Sequence, residues 1–298
     1  LSFIDCARFG PVLRLPLDLL HIQWTKHLVE LTPILPHLNF PIILSLRGTQ
    51  TNVTPVVNPD FYKRLHACFP FVSRFHAVSE HMKQVAIGLG IPADKIVVIR
   101  PAVEKALLAY PLEKESSPNF RFVSVGRDHW KKGIQYALDA LTGLFQGGHT
   151  NWRFEIIGPG NFEAERFQVH DCGLSEHVSF CGPLNHNETL FKIAQSDCLI
   201  LPSVEEGLAN VALEAMALGT RVVSSDCNGM PEAISHLETG FLFPSRNVKA
   251  LTECLQEVLV QSPHEALLMA QRAKHRIESG FLSEDQLGRF INCYEEMV

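Results

Sequence analysis

The chain has 298 residues, of which 46% are hydrophobic and 19% charged, and its formal net charge at pH 7 is −6. This length is typical of two domains, and this composition indicates a folded protein with a sizeable core. The chain has no basic excess, so nucleic acid is excluded as an expected partner and a phosphate-bearing ligand would need a few local cations. It also has no uninterrupted run of about 18 apolar residues, the pattern that predicts a transmembrane helix.

The eight cysteines are scattered, with no Cys-x-x-Cys pair and no histidine at zinc-ligand spacing. Cys198 and Cys227 lie in or beside apolar runs and are interpreted as core residues. Free thiols favour a reducing compartment, so we expect a cytoplasmic protein. Asp5 and Arg8 interrupt any signal peptide, and the abrupt start without Met predicts that the natural N-terminus is missing.

Short apolar runs alternate with stretches of helical spacing along the chain. This alternation predicts an α/β fold with parallel sheets built from βαβ units. Runs that are apolar throughout also fit sheets covered on both faces. The predicted strands, in chain order, are residues 19–24, 42–46, 72–76, 96–99, 120–125, 154–157, 178–180, 198–201, 221–224 and 241–243.

A polar stretch with three prolines, residues 101–119, is interpreted as a linker between two domains. We predict an incomplete Rossmann-like domain at 1–105, because no strand with a Gly-rich turn opens it, and a complete one at 106–282. Residues 283–298 are predicted to form a final amphipathic helix. Its predicted apolar face consists of Leu287, Phe290, Ile291 and Tyr294.

The clearest site signal is a turn that follows the predicted strand 198–201 and leads into a helix predicted at 209–218. Free N–H groups and the positive end of the dipole make such a helix start an anion site. The amides near Ala209, Asn210 and Val211 are placed to meet a diphosphate. The turn residues Gly207 and Leu208 belong to the same predicted site.

Two carboxylates flank this helix start. Glu206 lies in the turn, where it can accept hydrogen bonds from sugar hydroxyls. Glu214 lies among apolar residues in the helix, where a carboxylate is costly unless hydrogen-bonded, and ribose hydroxyls are suitable donors. The alternative is that both are ordinary acidic residues favoured by the helix dipole.

Two cations follow the predicted strand 120–125, in the turn that runs from Gly126 to Gly133. Arg127 can grip phosphate oxygens with two hydrogen bonds, while Lys132 acts as a point charge. A solvated basic turn is the alternative for this segment alone. Because both signals lie at the carboxyl ends of strands in one domain, where open α/β sheets bind ligands, we predict one joint site.

Weaker signals occur at three other turns. Gly158 ends a strand and would allow close approach of the backbone to a nucleotide, although a simple turn is equally consistent. Leu184 could offer an apolar wall to a base, with core packing as the alternative. Arg47 and Gly48 end a strand in the first domain and are assigned to the donor site, where Arg47 would face the cleft between domains; a structural role for Arg47 is the alternative.

Two further residues have structural interpretations, and the absence of three motifs excludes other classes of site and protein. His21 lies within a predicted strand and is interpreted as a core histidine with satisfied hydrogen bonds, and Ser79 is interpreted as a helix cap. No Asp-x-Asp pair is present as a metal-diphosphate ligand, so no metal is expected. The sequence also lacks a P-loop and a Gly-x-Ser-x-Gly elbow, which excludes P-loop NTPases and α/β-hydrolases.

Taken together, these motifs resemble the GT-B glycosyltransferases of family 4. Glu206 and Glu214 match the E-x7-E motif of that family, and Arg127 and Lys132 match its paired cations. Residues 203–217 are similar to its P-S-x-x-E-G-x-x-N-x-x-L-E-A-M-A block. The likeness extends over residues 226–232, 75–80 and 95–103, although Ala102 replaces the usual glycine of the last segment.

The resemblance implies two facing Rossmann-like domains, with the donor bound mainly by the C-terminal one and the last helix crossing back to the N-terminal one. It also implies sugar transfer with retention and without a metal. Arg127 and Lys132 would stabilise the leaving diphosphate, as electrostatic preorganisation requires. By the same resemblance Glu206 would contact the donor sugar, and Glu214 the ribose.

We therefore expect a retaining transferase that moves a sugar from a UDP- or GDP-sugar to a saccharide or lipid-linked saccharide. The expected location is cytoplasmic, with peripheral contact at the inner face of the membrane left open, and no cofactor is expected. The alternatives are a nucleotide-sugar-binding protein without turnover and an NDP-sugar 2-epimerase of the same fold. Arg47-Gly48 departs from the His-Gly of many members. A cationic arginine could assist the phosphate or the donor sugar, but it cannot replace a neutral histidine acceptor.

Overall fold

The computed structural model describes the backbone of residues 3–112 and 114–298 and the side chains from residue 9 onward, apart from residue 113. The chain divides into an N-terminal unit, residues 1–100 with 284–298, and a C-terminal unit, residues 101–283. Each unit contains one parallel sheet, which confirms the predicted α/β class. Among the described residues, no helix is both long and apolar enough to span a bilayer.

The sheet of the N-terminal unit has four parallel strands in the order β1-β2-β3-β4. All five residues of β2 are buried, as expected for a strand covered on both faces. The strands are β1 (Leu20–Ile22), β2 (Ile42–Leu46), β3 (Arg74–Ala77) and β4 (Ile96–Val98).

Helices cover this sheet, and the predicted cap is present: Ser79 accepts a hydrogen bond from the Met82 N–H at the start of α6. The helices of the unit are α1 (Phe3–Arg14), α2 (Thr25–Glu30), α3 (Thr49–Asn52), α4 (Thr54–Val57), α5 (Pro59–Cys68) and α6 (Glu80–Gly88), and it also holds nearly all of the last helix, α13 (Ser283–Glu295).

The buried face of α13 differs from the prediction. Phe290, Cys293 and Tyr294 pack with the sheet residue Ile43 and with Ile99. Two residues assigned to the same face lie in solvent instead. Leu287 is 61% exposed, because it lies one turn before the packed part of the helix, and Ile291 is 44% exposed, because it is rotated away from it. That part of the prediction was wrong.

The sheet of the C-terminal unit has six parallel strands in the order β10-β9-β8-β5-β6-β7. The chain adds β6 and β7 on one side of β5 and then returns to add β8 on the other. The order therefore reverses between β5 and β8, the position where open α/β sheets form a ligand crevice at the strands' carboxyl ends. The strands are β5 (Phe120–Val125), β6 (Trp152–Ile157), β7 (Val178–Gly182), β8 (Cys198–Leu201), β9 (Arg221–Ser225) and β10 (Phe241–Phe243).

Amphipathic helices pack on this sheet with their apolar sides inward. On α7 the buried residues recur at helical spacing, among them Ile134, Leu138 and Leu141. The helices of the unit are α7 (Ile134–Gln146), α8 (Glu163–Asp171), α9 (His186–Gln195), α10 (Asn210–Leu218), α11 (Val248–Val260) and α12 (Pro263–Glu278).

Part of the stretch interpreted as a linker is packed within the C-terminal unit. A short 3-10 helix, Lys105–Ala109, brings Leu107 and Leu108 against the core that includes α10. Lys274 Nζ on α12 donates hydrogen bonds to the carbonyls of Leu108 at 2.9 Å and Tyr110 at 2.6 Å. The apolar residues in this Pro-bearing stretch therefore give it a packed position.

Candidate functional site

Two turns meet at the carboxyl ends of β5 and β8. The Val204 N–H, after β8, donates to the Lys131 carbonyl, after β5, at 2.7 Å. Gly133 has a φ of 64°, and a side chain there would place its Cβ 2.1 Å from the carbonyl oxygen of Pro202. Only glycine permits so close an approach at a positive φ. The backbone therefore fixes the two predicted turns against each other.

Four charged side chains from these turns form what we call the charged cluster: Lys131, Lys132, Glu205 and Glu206. Lys132 Nζ lies 2.5 Å from Glu206 Oε1. Lys131 Nζ lies 3.9 Å from Glu206 Oε2 and 4.0 Å from Glu205 Oε2. Only 10–18% of each side chain is exposed. The structure thus brings together the two predicted residues and adds two that the sequence analysis did not consider.

The aliphatic part of Lys132 passes over Gly126. A Cβ on that glycine would lie 3.0 Å from the Cδ and Cε atoms of Lys132. The other predicted cation, Arg127, is exposed. Within the described residues it has no hydrogen bond or ion pair, so its guanidinium is available to a ligand.

Helix α10 begins beside the charged cluster. Ala209 is its N-cap and supplies no side-chain acceptor, so the N–H groups of the first turn lack a capping partner from that residue. Leu208 and Ala209 are buried in the core, and the Gly207 carbonyl accepts a hydrogen bond from the Gly229 N–H at 3.1 Å. The helix start at Asn210 and Val211 is thus held rigidly and can bind an anion.

Glu214 lies one turn into α10 and is half-buried. Burial raises the pKa of this carboxyl, while His186 lowers it. No hydrogen bond or ion pair to Glu214 occurs among the residues that the structure describes. A carboxylate in this position gains from a ligand that donates hydroxyl hydrogen bonds.

The remaining residues assigned to the C-terminal site have packing roles as well. Gly158 has a φ of 150°, and a Cβ there would lie 2.0 Å from the Gly126 carbonyl oxygen. Asp128, which the sequence analysis did not assign, holds the same loop by accepting a hydrogen bond from the Phe162 N–H at 2.8 Å. Leu184 is half-buried against the core that contains α10.

Arg47 and Gly48 belong to the N-terminal unit. Gly48 has a φ of 45°, and Arg47 is half-buried at the carboxyl end of β2. Burial lowers the pKa of Arg47, and Tyr294 raises it. His21, as predicted, has a hydrogen-bond partner for each ring nitrogen. In the described part of the chain, no three His, Cys, Asp or Glu residues are grouped as metal ligands.

Comparison with known proteins assigns the chain to a family. The model for glycosyl transferases group 1 matches residues 112–276, more than half of the chain. The amylovoran biosynthesis glycosyltransferase AmsK of Erwinia amylovora is 30% identical over 237 residues, which cover 70% of this chain and 58% of AmsK. The putative colanic acid biosynthesis glycosyltransferase WcaL of Escherichia coli K12 is 28% identical over 200 residues, 65% of this chain and 49% of WcaL.

The chain thus spans about half the length of these curated relatives. Its fold is also that of a solved protein, Anabaena Alr3699/HepE in complex with UDP, with a TM-score of 0.84 over 98% of this chain and 82% of that one, at 18% identity. This likeness confirms the predicted GT-B type of α/β fold. By its sequence match and its fold, the chain belongs to the group 1 glycosyl transferases.

Proposed function

We propose that this protein transfers a sugar from a nucleotide-diphosphate sugar, bound by its C-terminal unit, to a saccharide acceptor. The observation that carries the proposal is the 2.5 Å contact between Lys132 and Glu206, two residues from different turns, beside the uncapped start of α10. UDP is the proposed nucleotide, with GDP as the alternative, because HepE was solved with UDP. AmsK and WcaL are named for polysaccharide biosynthesis, which supports a growing saccharide as acceptor, free or lipid-linked.

The cations and the helix start would together hold the diphosphate. Arg127 offers a guanidinium fork, and the α10 amides offer N–H donors. Lys132 has three ammonium hydrogens, so it can keep its contact with Glu206 and still reach a phosphate oxygen. As the bond to the sugar breaks, negative charge grows on the leaving diphosphate, and these fixed groups stabilise it.

The carboxylates would hold the two sugars of the donor. Lys132 and the Ser203 hydroxyl, 3.5 Å from Glu206 Oε1, orient Glu206. Its carboxylate can then accept a hydrogen bond from a hydroxyl of the transferred sugar. Glu214, half-buried and without a described partner, would accept the ribose hydroxyls. Gly158 and Leu184 would line the nucleotide. Arg47 and Gly48, which belong to the N-terminal unit, would contact the saccharide substrate.

A direct test is UDP affinity, measured by calorimetry. We expect Lys132→Ala and Glu214→Ala each to weaken UDP binding about tenfold, the effect of losing one charge-assisted hydrogen bond. Lys249→Ala is the matched control, because Lys249 is 88% exposed and lies 3.9 Å from Glu253 on the same helix. Wild-type affinity in both site variants would refute this donor site.

Two further properties belong to the proposal. Retention follows from the resemblance to the E-x7-E family, and NMR of the product's anomeric proton would decide it. Metal independence is supported by the cations already at the site, so EDTA should leave transfer unchanged, and a strict Mg²⁺ requirement would contradict it.

Two alternative functions have distinct outcomes. UDP binding without turnover would favour a binding protein, and conversion of the donor without acceptor would favour an epimerase.

A further inference from the structure

We propose that Arg47 forms an oxyanion-binding subsite in the N-terminal unit, which holds a carboxylate or phosphate substituent of the saccharide substrate. This inference rests on the proposed function, because it names the class of saccharide that the transferase would take. It concerns a different unit from the one that holds the charged cluster.

The first observation is that Arg47 lacks an anion. Its Nε atom is buried without a hydrogen-bond acceptor. No carboxylate of the described residues forms an ion pair with it. Partial withdrawal of a cation from water carries a cost unless the cation is paired, and natural proteins tolerate such a cost mainly at functional sites. Its position at the carboxyl end of β2, before the Gly48 turn, is also where parallel sheets bind ligands.

The second observation is a line of hydrogen bonds beside Arg47, which we call the imidazole chain: Tyr294, His21, Ser45 and His76. Tyr294 Oη lies 2.7 Å from His21 Nδ1, and His21 Nε2 lies 2.8 Å from Ser45 Oγ. Ser45 Oγ lies 2.8 Å from His76 Nδ1. His76 Nε2 lies 2.8 Å from the Ile99 carbonyl oxygen.

The last acceptor fixes the direction of every hydrogen bond in the imidazole chain. A carbonyl oxygen can only accept, so His76 Nε2 carries a hydrogen. Burial, and then the charge of Arg47, lower the pKa of His21 to about 4, and burial is also the main cause that lowers the pKa of His76 to about 4. Both rings are therefore neutral at pH 7.

With His76 neutral, its Nδ1 accepts from the Ser45 hydroxyl. Ser45 in turn accepts from His21 Nε2–H, and His21 Nδ1 accepts from the Tyr294 hydroxyl. Each donor and acceptor of the two rings is used within the chain. The imidazole chain therefore lies near Arg47 as a line of neutral groups and offers it no negative charge, which leaves that cation for a ligand.

The guanidinium of Arg47 indicates the chemical class of the ligand. A guanidinium fork matches a planar carboxylate or a phosphate with two parallel hydrogen bonds. The proposed diphosphate site has its own cations, Arg127 and Lys132, in the C-terminal unit. We therefore assign Arg47 to a separate oxyanion on the saccharide, such as the carboxylate of a uronic acid or a sugar phosphate.

The test compares Arg47→Gln with Arg64→Gln, an exposed arginine of the same unit, and with Arg47→Lys, which keeps the charge. The full chain is titrated with methyl glucuronide and with inorganic phosphate while NMR follows the imidazole signals of His21 and His76. We expect saturable shifts in the wild type and in Arg64→Gln, about tenfold weaker binding in Arg47→Gln, and partial recovery in Arg47→Lys. If the wild type shows no saturable shift with either probe, the subsite is refuted.

Two controls distinguish the saccharide subsite from a role of Arg47 in donor binding and from a structural role. UDP affinity should be unchanged in Arg47→Gln, and a tenfold loss there would assign Arg47 to the donor diphosphate and overturn the saccharide assignment. A wild type that fails to bind UDP would refute the proposed function, while the glucuronide titration would still report on Arg47. The melting temperature of Arg47→Gln should equal or exceed that of the wild type, and a clear decrease would show a structural role instead.

Discussion

The charged cluster and the imidazole chain are polar groups that remain stable in buried positions in different ways. The charged cluster of the C-terminal unit keeps 10–18% of each side chain exposed and brings positive and negative groups together. In the imidazole chain, His76 is 1% exposed and its pKa is lowered to about 4 by burial, so it stays neutral. In the cluster, opposite charges within 4.0 Å offset the cost of burial, whereas His76, with no carboxylate partner among the described residues, stays neutral.

This difference suits two different tasks. Paired charges with some access to solvent can exchange a partner for a ligand, because the ammonium and carboxylate groups have unused hydrogen-bonding capacity. A neutral chain with a fixed direction holds geometry instead. It links β1, β2 and β3 to α13, through residues as far as 273 positions apart in the sequence.

The largest expected effect is on catalysis at the charged cluster. We expect Lys132→Met to lower kcat for sugar transfer about 10²–10³-fold, because it removes a preorganised cation from the leaving diphosphate. The melting temperature should change little, since Lys131 remains 3.9 Å from Glu206. Lys249→Met is the control. Equal kcat in the two variants would show that the cluster is structural, as the imidazole chain is.

The fold was predictable because short apolar runs alternate with stretches of helical spacing along the sequence. Each of the ten predicted strands overlaps one of the ten that the structure describes. The proximity of Lys132 and Glu206 could also be predicted, because turns after parallel strands meet at one edge of a sheet. Lys131 and Glu205 were not, since the direction of adjacent side chains in a turn depends on backbone angles that the sequence does not specify.

The imidazole chain could not be predicted in the same way. Its members come from three strands and a distant helix, and nothing in the spacing of His21, Ser45 and His76 relates them to Tyr294. The exposed Leu287 shows the same limit, because helical periodicity defines a stripe but does not say how far along the helix the sheet contact extends.

The second prediction concerns pH. A histidine whose pKa is about 6.5 unfolded and about 4 folded binds fewer protons when folded, so its stabilisation is complete above pH 6.5 and is lost as the pH falls towards 4. For His76, which interacts with Arg47 and His21, the full loss is about 3 kcal/mol, of which about 2 kcal/mol falls between pH 7 and pH 4.5. Urea unfolding at pH 7 and pH 4.5 should show this decrease in the wild type and a smaller one in His76→Gln. The exposed His37→Gln should behave as the wild type, and equal slopes in all three proteins would contradict the neutral chain.

The third prediction concerns the backbone beneath the charged cluster. In Gly158→Ala the new Cβ would lie 2.0 Å from the Gly126 carbonyl, so the turns after β5 and β6 must separate. We expect a loss of about 2–3 kcal/mol in unfolding free energy, together with weaker UDP binding. Gly173→Ala is the matched control, because Gly173 also has a positive φ, 71°, but nothing lies within 4 Å of its Cβ position. A loss in Gly158→Ala no greater than that in Gly173→Ala would show that the contact is unimportant.

The smallest expected effect is at the end of the imidazole chain. Tyr294→Phe keeps the ring, which lies 5.9 Å from the Phe290 ring, and removes only the hydroxyl that donates to His21 at 2.7 Å. One neutral hydrogen bond contributes about 1 kcal/mol, and the partly exposed His21 can replace it with water. We therefore expect a decrease of about 1 kcal/mol in urea unfolding and faster amide exchange in α13, with no change in the exposed control Leu287→Ala. A loss as large as that from His76→Gln would mean that the links of the chain are not independent, and that the direction imposed by the Ile99 carbonyl stabilises the whole line as one unit.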